Sequence, residues 1–235
     1  MFEHPTGNNP KSIHIVCCGA TSRDYLAANM QYTVPLPKAD EVWTLNKAFR
    51  TIKADFGFIL DDLAGERIRS RQYWDFICEL THTTPITTSH IDPTIKYLLE
   101  VNPAKSENVF EYPIRQIRDA LGEHFWSMTK MAKPAGLSDE DAIRQKGNSL
   151  LYFRNSVPMI LAYAWFIGVE QICLFGADYT HPSGQAREAD QPNAEYWVGW
   201  CEAMGINLLL PADTTLKSTR EGKELYGYGV RQPEL

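Results

Sequence analysis

The stretch RNSVPMILAYAWFIGVEQICLFGADYTHPSG, Arg154 to Gly184, constrains the fold more than any other part of the chain. From Ser156 to Ile167 nearly every residue is apolar. A helix that is apolar all round is buried all round. Gly168 then separates it from QICLF, a short apolar run of the kind found in strands covered on both faces. With so little spacer between helix and strand, the Gly176-Ala177-Asp178-Tyr179 turn is expected at the carboxyl end of a central strand. Open α/β sheets place their ligands at that edge.

The same rhythm recurs elsewhere. SIHIVCCGATSRDYL reads as a strand, a turn at Gly19 and a helix with Thr21 or Ser22 as amino-terminal cap. DEVWTLNKAF and DFGFIL read as two further strands, and SRQYWDFICEL has helical spacing of Tyr73, Phe76, Ile77 and Leu80 before TPITT. Strands alternating with helices predict a mainly parallel sheet with helices on both faces. Residues 102–147 break the pattern with prolines at 103, 113 and 134 and the helix start SDEDAIRQK, and they read as an insertion or lid within one domain of 235 residues.

Hydrophobic content of 44% suffices for a real core, and no apolar run approaches the roughly 20 residues that span a bilayer. Without a signal-like amino terminus, a cytoplasmic location is the expectation. The cysteines at 17, 18, 78, 173 and 201 are odd in number and sit mostly in apolar segments, so packing roles are expected rather than a disulfide framework. A net charge of −6 disfavours a broad grip on nucleic acid. Arg67, Arg69 and Arg71 read as a solvated helix face.

Three strand ends carry polar residues that a core would not want, and they are expected to converge. The turn Gly19-Ala20-Thr21-Ser22 offers backbone N–H groups and the positive end of a helix to a phosphate. Asn46 can both donate and accept toward a base edge or a ribose hydroxyl. Gly176, Asp178 and Tyr179 close the third edge, and Asn155 and Ser156 start the buried helix, where capping is the simpler role. Asp61 and Asp62 end the third strand and are either a divalent-metal pair or a helix start. His181, in a Pro- and Gly-containing loop, is free to serve as a general base.

At these residues the chain resembles the small bacterial sialyltransferases that act on lipooligosaccharide, and related Rossmann-like proteins of bacterial glycosylation loci and phages. That family shows a Gly-Asn-Gly-Pro-Ser turn after its first strand, an Asn after its second, and a Thr-Ser-Gly helix start leading to Gly-Ile-Asp-Phe. The counterparts here are CGATS, LNKAF and NSVPMILAYAWFIGVEQICLFGADY, the last ungapped from Asn155 to Asp178. The resemblance implies a Rossmann-like nucleotide-binding domain in which Ser156, Asn46 and Tyr179 contact the nucleotide. The chain departs from the pattern at Gly19 and Val157. The family's catalytic histidine falls near Ala186 to Glu188, which leaves His181, Glu188 and Asp190 as candidate bases.

The resulting expectation is a glycosyltransferase moving a sugar from a nucleotide-sugar donor to the hydroxyl of a glycan or of a hydroxymethylated DNA base. The donor phosphate would lie near Gly19 to Ser22 and Ser156, and the loop Asp178 to Asn193 would close as a lid. A homo-oligomer is expected. A similar topology occurs in the 6-hydroxymethylpterin diphosphokinase family, which would bring ATP and magnesium and give Asp61 and Asp62 a metal. A nucleotide-binding protein without catalysis is the third reading.

Overall fold

The computed structural model describes residues 3–30, 35–101, 104–129, 131–179 and 190–216. Among them, seven strands form one parallel sheet: β1 (Ser12–Val16), β2 (Glu41–Leu45), β3 (Phe56–Ile59), β4 (Ile86–Thr88), β5 (Val109–Glu111), β6 (Gln171–Phe175) and β7 (Asn207–Leu209). Their spatial order is β5-β4-β3-β2-β1-β6-β7. The chain starts at the centre, steps outward to β5, and crosses back to lay β6 on the free side of β1. The direction of winding therefore reverses between β1 and β6, and a crevice opens beyond their carboxyl ends.

Alternation along each strand sends neighbouring side chains to opposite faces. Ile13, Ile15, Trp43, Phe56, Phe58, Ile172 and Leu174 join one core with α7 (Ser156–Phe166) and α8 (Gln191–Ala203). On the other face, Val16, Cys173 and Phe175 pack with Tyr25 of α1 (Ser22–Asn29). Ile59 and Ile86 there meet α3 (Arg71–Leu80) and α4 (Pro93–Val101). In α3 the buried face is Tyr73, Trp74, Ile77 and Cys78, so Phe76 and Leu80 are half-buried rather than central as their spacing suggested.

The short join between α7 and β6 is fixed at both ends of the helix. Asn155 caps α7 by accepting from Val157 N at 3.0 Å, and Gly168 leaves the helix with φ +82°, in the left-handed region where glycine has no steric penalty. Three residues later, at Gln171, the chain is in β6. Thr21 occupies the cap position of α1, but its hydroxyl makes no cap bond.

Residues 102–147 supply part of the framework. β5 is the edge strand beside β4, and α5 (Ile114–Thr129) runs against α6 (Asp139–Leu150), whose cap is Ser138. Gly147 lies against Arg118 and Gly122 against Ile143, while Trp126 donates to Ala142 O at 3.2 Å, so the two helices are antiparallel. No helix among the described residues is long and apolar enough to cross a membrane.

A polar cluster holds the amino end of the sheet. The Glu41 carboxylate, 2% exposed, accepts from Thr6 Oγ1 at 2.6 Å, Trp43 Nε1 at 2.7 Å and Asn8 Nδ2 at 3.0 Å, and pairs with His4 Nε2 at 3.1 Å. His4 Nδ1 in turn meets the hydroxyl of Tyr163 in α7 at 2.7 Å. Nothing in the sequence pattern signalled this cluster.

Candidate functional site

At the reversal point the loops after β1 and β6 are laced together. Cys17 N donates to Phe175 O at 2.8 Å, Gly19 N to Gly176 O at 2.7 Å, Gly176 N to Thr21 Oγ1 at 2.8 Å, and Thr21 N to Asp178 Oδ2 at 2.6 Å. Gly176 has φ +68°, and a Cβ there would overlap the Cys17 carbonyl. A Cβ on Gly19 would come within 2.5 Å of Gly176 O and 2.9 Å of Asp178 Oδ2. Both glycines thus serve the close approach of two loops.

That lacing uses two of the N–H groups that the phosphate reading of the first turn relied on. The N–H groups of Gly19 and Thr21 are taken across to the β6 loop, and Ser22 N bonds Gly19 O at 3.1 Å. The negative group at the head of this turn is the protein's own Asp178. A phosphate brought there would meet a carboxylate and lose the N–H partners that make such turns attractive to anions. Ala20 and Thr21 do not line the cleft beside it, and Ser22 faces a neighbouring cavity.

The cleft has a volume of about 210 Å3. Gly19, Asn46, Asn155, Ser156, Gly176, Asp178 and Tyr179 line it, so the strand ends do converge as the sequence indicated. Asn46 follows β2 directly and has φ +51°, a left-handed conformation that asparagine tolerates better than most residues. It opens a 3-10 turn, Asn46–Arg50. Its Oδ1 is buried without a hydrogen-bond partner, and so is Asp178 Oδ1, although Oδ2 of the same carboxylate is bonded. Leaving such an acceptor unpaired costs about 1–3 kcal/mol. Two residues that line one cleft thus each carry a buried acceptor for which the protein supplies no donor.

Asn155 frames the opposite wall. Beyond capping α7, its Oδ1 accepts from the Tyr179 hydroxyl at 3.1 Å and its Nδ2 donates to Asp190 O at 3.1 Å. The cap role expected for it therefore comes with a second one, joining the β6 loop to the start of α8. Tyr179 is further fixed by its N–H to Thr215 Oγ1 at 3.0 Å. Asp190 lines the cleft, and its carboxylate does not cap α8. His181 and Glu188, and with them most of the expected lid, lie outside the described residues.

Asp61 and Asp62 are exposed, and neither lines the cleft. Asp62 accepts from Ala64 N at 3.1 Å and caps α2 (Leu63–Arg69), the helix-start alternative for this pair. Among the described residues no group of three or more His, Cys, Asp or Glu is placed to hold a metal. The five cysteines are unbridged. Burial pushes the Cys17 thiol far above its ordinary range and those of Cys78 and Cys201 to about 11 and about 12. Cys18 alone is exposed, on the cleft wall, donating to Leu45 O at 3.3 Å.

Sequence reasoning missed Cys18, Leu45 and Val157 as lining residues, and it missed Lys47 altogether. Lys47 had a usable signal: it follows Asn46 at a strand end already singled out.

No family model and no curated protein matches the chain. It is similar to solved structures of the sialyltransferase CstII from Campylobacter jejuni. The structure with cytidine-5'-monophosphate has a TM-score of 0.46 and 16% identity, covering 88% of this chain and 82% of that one. The structure with CMP-3FNeuAc gives 0.46 and 16%, covering 88% and 83%. A third, of a variant of the same enzyme with CMP, gives 0.43 and 14%, covering 85% and 80%.

Proposed function

We propose that the cleft binds the nucleoside part of a nucleotide sugar and that the protein is a glycosyltransferase. One observation carries the reading: Asn46 and Asp178, each with a buried side-chain oxygen that has no partner, line a cleft at the winding reversal of a parallel sheet. A nucleoside brings the missing donors as ribose hydroxyls and base N–H groups. A cleft of about 210 Å3 is smaller than the roughly 300–1,000 Å3 of sites that enclose a whole drug-sized ligand, so it suits part of a nucleotide sugar. The ungapped likeness from Asn155 to Asp178 supports the same choice.

In this reading Asp190 takes the proton from an acceptor hydroxyl, on a glycan or a hydroxymethylated base. The acceptor oxygen bonds to the anomeric carbon as the bond from that carbon to the phosphate oxygen breaks, and the nucleotide leaves with the electron pair. A positioned base contributes about 10²–10⁴-fold. The magnesium-dependent diphosphokinase alternative is not favoured, because Asp61 and Asp62 stand off the cleft.

Calorimetry with cytidine, uridine, guanosine and adenosine nucleotides and their sugar conjugates tests the reading. One series is expected to bind, and Asn46→Ala is expected to weaken it by about 0.5–1.5 kcal/mol, with only the small fall in melting temperature that alanine at φ +51° brings. Asp190→Asn is expected to slow transfer to an acceptor while donor affinity holds. Absence of binding by every nucleotide overturns the proposal.

A further inference from the structure

Gly19 N and Thr21 N of the glycine turn are bonded within the protein, yet a nucleotide sugar carries one or two phosphates that need partners. We infer that Lys47, aided by Arg50, is the phosphate subsite of this cleft, an inference that rests on the nucleotide reading above. A second cavity, also of about 210 Å3, adjoins the first, and Cys17 and Cys18 line both. Among the described residues that line the second cavity, Lys47 is the charged one, beside the hydroxyl-bearing Ser22 and Thr51. A ligand whose nucleoside fills the Asn46 cleft has room for its phosphate on the other side of the Cys17–Cys18 ridge.

The local backbone explains how Lys47 is held. In a 3-10 turn, residues three apart lie above one another. Lys47 and Arg50 therefore share a face of the Asn46–Arg50 turn, and that face sits on Tyr73 of α3. Lys47 Nζ is 5.6 Å and the Arg50 guanidinium carbon 5.8 Å from the Tyr73 ring centre, and Arg50 is 5.6 Å from that of Phe76. Aromatic faces attract cations without neutralising them. Neither cation has a carboxylate partner among the described residues. The Lys11, Arg69, Arg71 and Arg144 side chains, by contrast, all pair with one. Two cations seated on rings and, among the described residues, without an ion pair, next to a cleft lined by Asp178 and Asp190, divide the site into a neutral-to-acidic half for the nucleoside and a cationic half for phosphate.

The test compares each nucleoside with its 5′-monophosphate by calorimetry at low and high salt, using the full chain. The phosphate is expected to tighten binding about tenfold at low salt, with the gain shrinking as salt screens it. Lys47→Gln is expected to bring the two affinities together by weakening only the nucleotide, and Lys47→Arg to restore the gap. Lys47 is exposed, so a matching melting temperature confirms that the variants fold. The inference is overturned if the gap persists in the Lys47→Gln, Arg50→Gln double variant, or if Asp178→Asn enlarges it more than the Lys47 change reduces it. Binding of the nucleoside alone, with no gap in the parent protein, overturns it while leaving the nucleotide reading intact. If neither nucleosides nor nucleotides bind the parent, the nucleotide reading itself falls.

Discussion

Thr21 N, at the start of α1, donates to Asp178 Oδ2 at 2.6 Å, and the other oxygen of that carboxylate is left unbonded at the cleft. A single side chain thereby takes up one N–H of the turn and keeps one acceptor unpaired. Hydrogen bonds to a charged acceptor contribute about 1.5–3 kcal/mol, so a ligand donor reaching Asp178 Oδ1 gains more than one reaching a neutral amide. Cys18 reports on the same spot. It is the exposed cysteine, and it lies on the ridge between the two cavities. Native protein treated with a thiol-reactive dye is expected to label at Cys18 first, the buried four reacting only on unfolding, and a bound nucleotide is expected to slow that labelling. Peptide mapping that finds Cys78 or Cys201 modified first would contradict the burial described for them.

Among the elements, α7 does the most to place the cleft, because its cap and first residues line it and its body is core. Asn155 is satisfied three times over, by Val157 N, the Tyr179 hydroxyl and Asp190 O. Asn155→Ala is expected to cost about 1 kcal/mol for the lost cap, which for a chain of this size lowers the melting temperature by about 2–4 °C. It is also expected to weaken nucleotide binding by freeing Tyr179 and Asp190, and a normal affinity in the melted-down variant would show that Asn155 only caps. This helix and β6 were legible in the sequence because an unbroken apolar run followed by glycine admits few alternatives. The convergence of Asn46, Ser156 and Tyr179 was legible too, since carboxyl ends of parallel strands lie on one edge. β5 was not, because three residues with only Val109 buried carry no period to read. The internal use of Asp178 was hidden for another reason: its partner Thr21 is 157 residues away, and only the finished sheet brings them together.

For the molecule as a whole, the proposed function makes the two ends of the sheet divide the work, stability at the amino end and binding at the carboxyl end. Burial alone would raise the pKa of Glu41, but the bonds from His4, Thr6, Trp43 and Asn8 outweigh it and hold the carboxyl at about 2, below the ordinary 4.5. A carboxylate depressed in the folded state stabilises the fold above its unfolded pKa, and that contribution disappears as pH falls from about 4.5 toward about 2. At roughly 1.4 kcal/mol per pH unit the contribution is on the order of 3 kcal/mol. Urea unfolding at pH 7 and at pH 3 is expected to show the loss in the parent protein and a much smaller difference in Glu41→Gln, which is already weakened at pH 7. The cluster reaches α7 through Tyr163, about 12 Å along the helix from Asn155 at 1.5 Å per residue. A rigid, buried helix transmits loss of a distant anchor into global stability rather than into the geometry of its far end. Glu41→Gln is therefore expected to keep the parent's nucleotide affinity at pH 7 while unfolding at lower urea, the reverse of Asn46→Ala. If the Glu41 variant loses affinity in step with stability, the two ends are coupled and the separation argued from the sheet does not hold.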